Sequence, residues 1–258
     1  MAPVIPYPLT MNWEAILKAY PSQADAILRV KSLREKIDRA MDGIDLPEIG
    51  ATCRKLGNLS SFVPLLATSC TSVWKDMTGS EPAFDMADAI KASAGGKSAE
   101  DIAGAQGDLL QAIIYNSFSR LLHMLREKYT RLIPDPWTGG DCPFCGAYPR
   151  IGFDAEDKRM LHCLTCGHSW RFPRLKCPSC GNTDYHTQGY FEAEGLEGFR
   201  VYFCRECKNY LKIADIKIKA IEDPETEDFL TLELDDLALK EGFTEERATA
   251  SESIFQET

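Results

Sequence analysis

Eight of the ten cysteines fall into four Cys-x-x-Cys pairs, Cys142/Cys145, Cys163/Cys166, Cys177/Cys180 and Cys204/Cys207. Two residues between cysteines let one tight turn aim both sulfurs at a single ion. A second such turn completes a tetrahedron, with sulfur about 2.3 Å from zinc. One pair alone is equally a thioredoxin-like redox motif, whereas four pairs in one stretch supply the ligands of two four-cysteine sites. Gly146, Gly167 and Gly181 each follow the second cysteine of a pair. A residue without Cβ accepts a left-handed backbone there, which turns N–H groups toward the sulfurs. The fourth pair has Lys208 at that position, so a looser knuckle is expected.

Chain order allows two main pairings. Sequential sites join Cys142 and Cys145 to Cys163 and Cys166 (site 1), and Cys177 and Cys180 to Cys204 and Cys207 (site 2). A crossed arrangement joins the first pair to the third and the second to the fourth. The sequential pairing is preferred because each intervening loop is close to the usual zinc-ribbon length and has strand-like residues on both sides. Two mononuclear ions are expected, zinc or iron, since a rubredoxin-like iron site uses the same four thiolates. His162 and His168 flank the second knuckle, but eight thiolates already fill two sites, so neither is taken as a ligand.

Elements must hold those knuckles. Short runs at 148–153, 159–162, 169–172, 185–190, 199–203 and 211–218 have strand character, and the metal-bearing half reads as one ribbon unit written twice. Residues 11–133 read as helical, with helices expected at about 21–41, 60–78 and 82–93 and a long one from 99 to 132. Pro134 to Gly140 breaks that pattern. Cys53 and Cys70 lie in helical sequence and read as small buried apolar residues. The expected architecture is α plus small β: a helical bundle over 1–139, a double metal ribbon with four cysteines per site over 140–219, and an acidic helix with a disordered tail over 220–258. The helix is placed at 226–240 and the disorder after Glu245.

Composition narrows the function. With 44% apolar residues the chain can bury a core, but no stretch approaches the roughly 18 apolar residues of a membrane span. Nor does Met1–Thr10 resemble a secretory signal, so no membrane and a cytoplasmic location are expected. In a reducing compartment cysteines ligate metal rather than form disulfides. Residues 220–258 hold 13 acidic and 2 basic residues, against 10 and 12 in 141–219. Zinc ribbons often bind nucleic acid, but that needs clustered Lys and Arg. A chain at net −10 argues for no nucleic acid.

The motif series is more specific than a generic ribbon. Cys142-Pro143-Phe144-Cys145-Gly146-Ala147-Tyr148-Pro149, then Arg159 to Cys166 with Trp170, then Arg174 to Cys180, then Cys204 to Cys207 leading to Tyr210-Leu211-Lys212 occur in order. That series resembles the formate dehydrogenase accessory proteins of the FdhE type, over about 140–243. The resemblance implies a cytoplasmic, chaperone-like maturation factor that is not itself an enzyme. Its partner would be the catalytic subunit of a molybdenum- or tungsten-dependent formate dehydrogenase. A rubredoxin-like character at the metal is also implied, which keeps iron in view. The rival readings are a thiol-redox or general chaperone ribbon protein and, less favoured, a nucleic-acid-binding ribbon. No catalytic or cofactor-binding residue is assigned beyond the eight metal-site cysteines.

Overall fold

The computed structural model describes residues 11–53, 60–155, 158–219, 221 and 223–245. The chain forms two compact units. Among the described residues, one is helical and takes in 23–133 together with 144–146 of the first knuckle; the other contains 11–22, 134–143 and the residues from 147 onward. Helix α1 (Trp13–Ala19) therefore belongs with the ribbons, although the hydropathy of 11–133 gives no sign of this. It packs on α7 (Pro224–Leu230), where the Asn12 N–H donates to Thr226 Oγ1 at 2.8 Å and the Tyr20 hydroxyl to the Phe229 carbonyl at 3.3 Å.

The helical unit holds α2 (Ala24–Met41), α3 (Val63–Thr78), α4 (Met86–Ala94), α5 (Glu100–Ala103) and α6 (Gly107–Lys128). Leu33, Ile37, Leu66, Val73, Ile90, Leu110, Ile113 and Leu121 recur at helical spacing and are buried. Pro64 sits in the first turn of α3, where its missing N–H costs nothing. Cys53 and Cys70 are buried, and burial pushes the Cys70 thiol up to about 11. The single helix expected over 99–132 is instead two. Gly104 takes φ 55°, a left-handed value that ends α5. A Cβ on Gly107 would meet the Glu100 backbone nitrogen at 2.7 Å, so the chain doubles back closely before α6 begins.

The ribbon unit is one six-stranded sheet, ordered β3-β2-β1-β6-β5-β4. Its strands are β1 (Ile151–Ala155), β2 (Lys158–His162), β3 (Ser169–Phe172), β4 (Gln188–Phe191), β5 (Phe199–Cys204) and β6 (Tyr210–Asp215). A knuckle, two strands, a second knuckle and a third strand make the repeat, and it occurs twice. Pairing within each half is antiparallel. The halves join head to tail through the parallel pair β1·β6, with Phe153 opposite Ala214. That join is the part the repeat alone does not specify.

One sheet face carries Ile151, Phe153, Met160, Phe199, Val201 and Ala214, packed with Leu234 and Ala238 of α8 (Leu232–Lys240). The expected C-terminal helix is two helices, α7 and α8. Thr231 interrupts them, its hydroxyl bonded back to the Glu227 carbonyl at 2.7 Å in competition with the backbone ladder. The disordered tail expected after Glu245 lies outside the described residues. Among the described residues no helix is long and apolar enough to cross a membrane.

Candidate metal centres

The four knuckles share one backbone geometry. In each, the N–H of the first cysteine donates to the carbonyl five residues on: Cys142 to Ala147 (2.8 Å), Cys163 to His168 (2.9 Å), Cys177 to Asn182 (2.8 Å) and Cys204 to Asn209 (2.9 Å). The residue after the second cysteine has positive φ, 83° at Gly146, 72° at Gly167, 75° at Gly181 and 62° at Lys208. Lys208 is the only non-glycine residue with positive φ among the described residues. The fourth knuckle is thus as tightly turned as the others, contrary to the looser turn expected there. Its Lys208 N–H reaches the Cys204 carbonyl at 2.9 Å, as Gly181 reaches Cys177 at 3.0 Å. Residues beyond α8 brace it: Thr244 donates its N–H to the Lys208 carbonyl at 2.7 Å and accepts from the Tyr210 N–H at 3.1 Å.

The folded chain brings the sulfurs together in the sequential grouping. Cys142, Cys145, Cys163 and Cys166 have all four Sγ atoms within 4.8 Å of one another, and so do Cys177, Cys180, Cys204 and Cys207. The separation between Cys142 and Cys166 is 3.5 Å, between Cys177 and Cys207 3.7 Å, and between Cys180 and Cys204 3.8 Å. A regular tetrahedron with metal–sulfur bonds near 2.3 Å has edges of about 3.8 Å. Donor type, count and spacing therefore fit one tetrahedral thiophilic ion in each group, and zinc and iron fit alike.

The groups differ in exposure. All four cysteines of the first are fully buried. In the second, Cys177 and Cys204 are buried, Cys207 is half-buried and Cys180 is exposed. Burial raises the Cys177 thiol. It also acts to raise Cys204, but there the Cys207 and Glu206 N–H groups and the Asn182 amide outweigh it and bring the thiol to about 7. The Asn182 amide lies 3.6 Å from Cys204 Sγ and 2.6 Å from Thr187 Oγ1. Its position immediately after Gly181 is the sole sequence signal for that role.

The neighbouring polar residues lie outside both sulfur groups. His162 Nδ1 bonds the Ser169 hydroxyl at 2.8 Å, and the His168 ring stacks on Trp170. Lys176 donates to the Thr138 carbonyl at 3.1 Å, and the Arg205 guanidinium sits 5.1 Å over the Phe203 ring.

Paired four-sulfur groups on a twice-written ribbon, in a chain that also has a helical unit, can be set against known proteins. No family model matches the chain. It is 29% identical over 145 residues to an FdhE homologue of Aquifex aeolicus, covering 54% of this chain and 51% of that protein. It is 32% identical over 107 residues to an FdhE homologue of Stutzerimonas stutzeri, covering 40% and 35%. The crystal structure of the FdhE protein from Pseudomonas aeruginosa superposes with a TM-score of 0.68 at 17% identity, over 95% of each chain. The sequence matches are to FdhE-type proteins, and the structural one is a likeness of fold. The FdhE-type likeness in sequence spans about half the length of the Aquifex relative and about a third of the Stutzerimonas one. The likeness to the solved FdhE is one of fold over 95% of each chain, and among the described residues helices precede the sheet as expected.

Proposed function

We propose that this chain is a cytoplasmic accessory protein in formate dehydrogenase maturation. It binds the catalytic subunit of a molybdenum- or tungsten-dependent enzyme and turns over no substrate itself. Site 1 is held by Cys142, Cys145, Cys163 and Cys166, and site 2 by Cys177, Cys180, Cys204 and Cys207, each taking one zinc or iron ion. When bound, the ion supplies crosslinking of two knuckles and, if iron, a one-electron couple. The chain's own part is to present a rigid sheet fixed at both ends of each repeat.

The observation that carries this reading is the pair of four-sulfur groups, each joining the two knuckles of one repeat within 4.8 Å, in a chain with FdhE-type likeness. Changing any one pair to serine is expected to abolish formate dehydrogenase activity in anaerobic cells while leaving the transcript of its catalytic subunit unchanged. Normal activity in all four pair variants overturns the reading. Metal analysis and an absorption spectrum of anaerobically purified protein separate ferric thiolate from colourless zinc. The exposure of Cys180 favours thiol–disulfide exchange at site 2 as a second reading, which disulfide reductase turnover would reveal.

A further inference from the structure

The sheet face opposite α8 carries an open groove of about 420 Å³ that neither metal group occupies. Register puts its floor on one face: Asp154 lies opposite Arg159 and Asp215, and Tyr190 opposite Tyr202. Nine large hydrophobic side chains are exposed among the described residues, and three of them, Leu175, Tyr185 and Tyr190, line this one groove. Contiguous exposed apolar surface of this kind marks an interaction site more often than chance.

The polar groups are fixed in place. Arg159 forms a two-pronged pair with Asp154, at 2.9 and 3.1 Å, and lies 4.0 Å over the Tyr202 ring. Arg200 is held by Glu192 at 2.7 Å and lies 5.0 Å over the Tyr190 ring, which in turn is 5.4 Å from Tyr202. A ladder Arg159–Tyr202–Tyr190–Arg200 thus crosses strands β2, β5 and β4. Tyrosine and arginine dominate binding hot spots, and side chains already immobilised lose little entropy when a partner arrives. Arg174, whose Nε lies 3.6 Å from Asp154 Oδ1, and Lys217 add two more cations to the lining. The four cations outnumber Asp154, Asp215 and Glu192 in a chain whose overall balance is 29 basic to 39 acidic. The groove also runs along β4, at one end of the sheet order, where an extended segment can lie.

We infer that this groove docks an extended acidic polypeptide segment carrying an aromatic or leucine side chain among its carboxylates. The apolar side chain sits between Leu175, Tyr185 and Tyr190, and the carboxylates meet Arg174, Arg200 and Lys217. Site 2 shapes the groove. The Gln188 amide donates to the Asn182 carbonyl of the third knuckle at 3.1 Å, and the Arg205 N–H of the fourth knuckle donates to the Thr187 carbonyl at 2.8 Å. Arg159, Gln188 and Tyr202 line a small void whose other wall includes Cys177 and Cys204. The inference rests on the accessory-protein reading only for which protein supplies the segment.

The test pans a random dodecapeptide phage library on the full-length, metal-loaded chain. Enriched peptides are expected to carry two or more Asp or Glu around an aromatic or leucine. A fluorescein-labelled copy of one should bind at least about tenfold more weakly, by anisotropy, to Tyr190→Ala and to Arg200→Glu. Lys97→Glu on the helical unit should bind it as the parent does. Tyr185→Ser serves if either groove variant loses metal or melts early. No enrichment, an acid-free consensus, or equal binding by the groove variants overturns the inference. Displacement of the peptide by millimolar ADP or inorganic phosphate overturns it in favour of a small phosphorylated ligand. Purified formate dehydrogenase catalytic subunit is then added as competitor and should displace the peptide. Peptide binding without displacement removes the partner and leaves the groove, whereas subunit binding that ignores the groove variants removes the groove and leaves the partner.

Discussion

At the scale of single residues the fourth knuckle is the informative one. A Cβ in the left-handed region costs about 1–2 kcal/mol, and glycine at the same position costs about 0.5–1 kcal/mol in unfolded-chain entropy. Lys208, at φ 62°, therefore carries strain that its three glycine counterparts do not. Lys208→Gly is expected to raise the stability of the metal-loaded ribbon unit by up to about 1 kcal/mol, read as a higher urea midpoint at unchanged metal content. A lower midpoint would mean that the lysine side chain contributes more than its backbone costs. The eight sulfurs and their grouping were legible from sequence because a knuckle is a local turn whose spacing fixes its reach. The conformation at Lys208 was not, because Thr244, distant in sequence, braces that turn through the Lys208 carbonyl. Arg159 and Asp154 were invisible for the same reason: only the β1·β2 register places them opposite each other.

At the scale of elements, each of the six strand-like runs between the knuckles overlaps a strand, although 148–150 lies outside β1, Tyr185–Thr187 forms a 3-10 helix and 216–218 a turn. The β1·β6 join was not foreseeable, since it depends on the fit of two edges rather than on any pattern within a strand. A buried polar cluster secures the helices to that join. Lys212 of β6 is fully buried, with its Nζ 2.8 Å from Asp228 Oδ1 of α7 and 2.7 Å from Asp235 Oδ2 of α8. The Tyr210 hydroxyl donates to Asp235 Oδ1 at 2.9 Å. Burial pushes the Asp235 carboxyl up against the downward pull of Lys212. Removing one partner of a buried charge cluster strands the others, at a cost of about 3–5 kcal/mol. Lys212→Met should destabilise the ribbon unit by that amount in chemical denaturation. The variant Lys212→Met, Asp228→Leu, Asp235→Leu, Tyr210→Phe should recover most of the loss, because it leaves neither a buried unpaired charge nor the Tyr210 hydroxyl without its acceptor, and the exposed Arg150, which reaches Asp228 at 3.6 Å, keeps Glu245 at 3.1 Å. No recovery would show that the cluster does more than balance its own charges.

At the scale of the whole molecule, each unit draws its stability from a different source. The helical unit buries leucine, isoleucine and valine along its helices, and α2 to α6 carry none of the grouped metal-ligating residues found among the described residues. The ribbon unit places much of its chain in knuckles and loops, and a structural thiolate site contributes apparent binding energy on the order of 10–16 kcal/mol, comparable with the stability of an entire domain. The two sulfur groups differ in access, fully buried at Cys142, Cys145, Cys163 and Cys166 but exposed at Cys180 and half-buried at Cys207. Titration with a chelator should therefore release metal in two phases, first from site 2 and then from site 1. The first phase should expose Cys180 to alkylation and abolish dodecapeptide binding, since Asn182 and Thr187 lose the knuckles that hold them. The second should open residues 141–219 to protease while the far-ultraviolet helical signal of α2 to α6 persists. Single-phase release would show that the difference in burial does not set the order of loss, and proteolysis of that segment unchanged after both ions are gone would show that the sheet stands without its metals and that the sulfur groups are not what orders it.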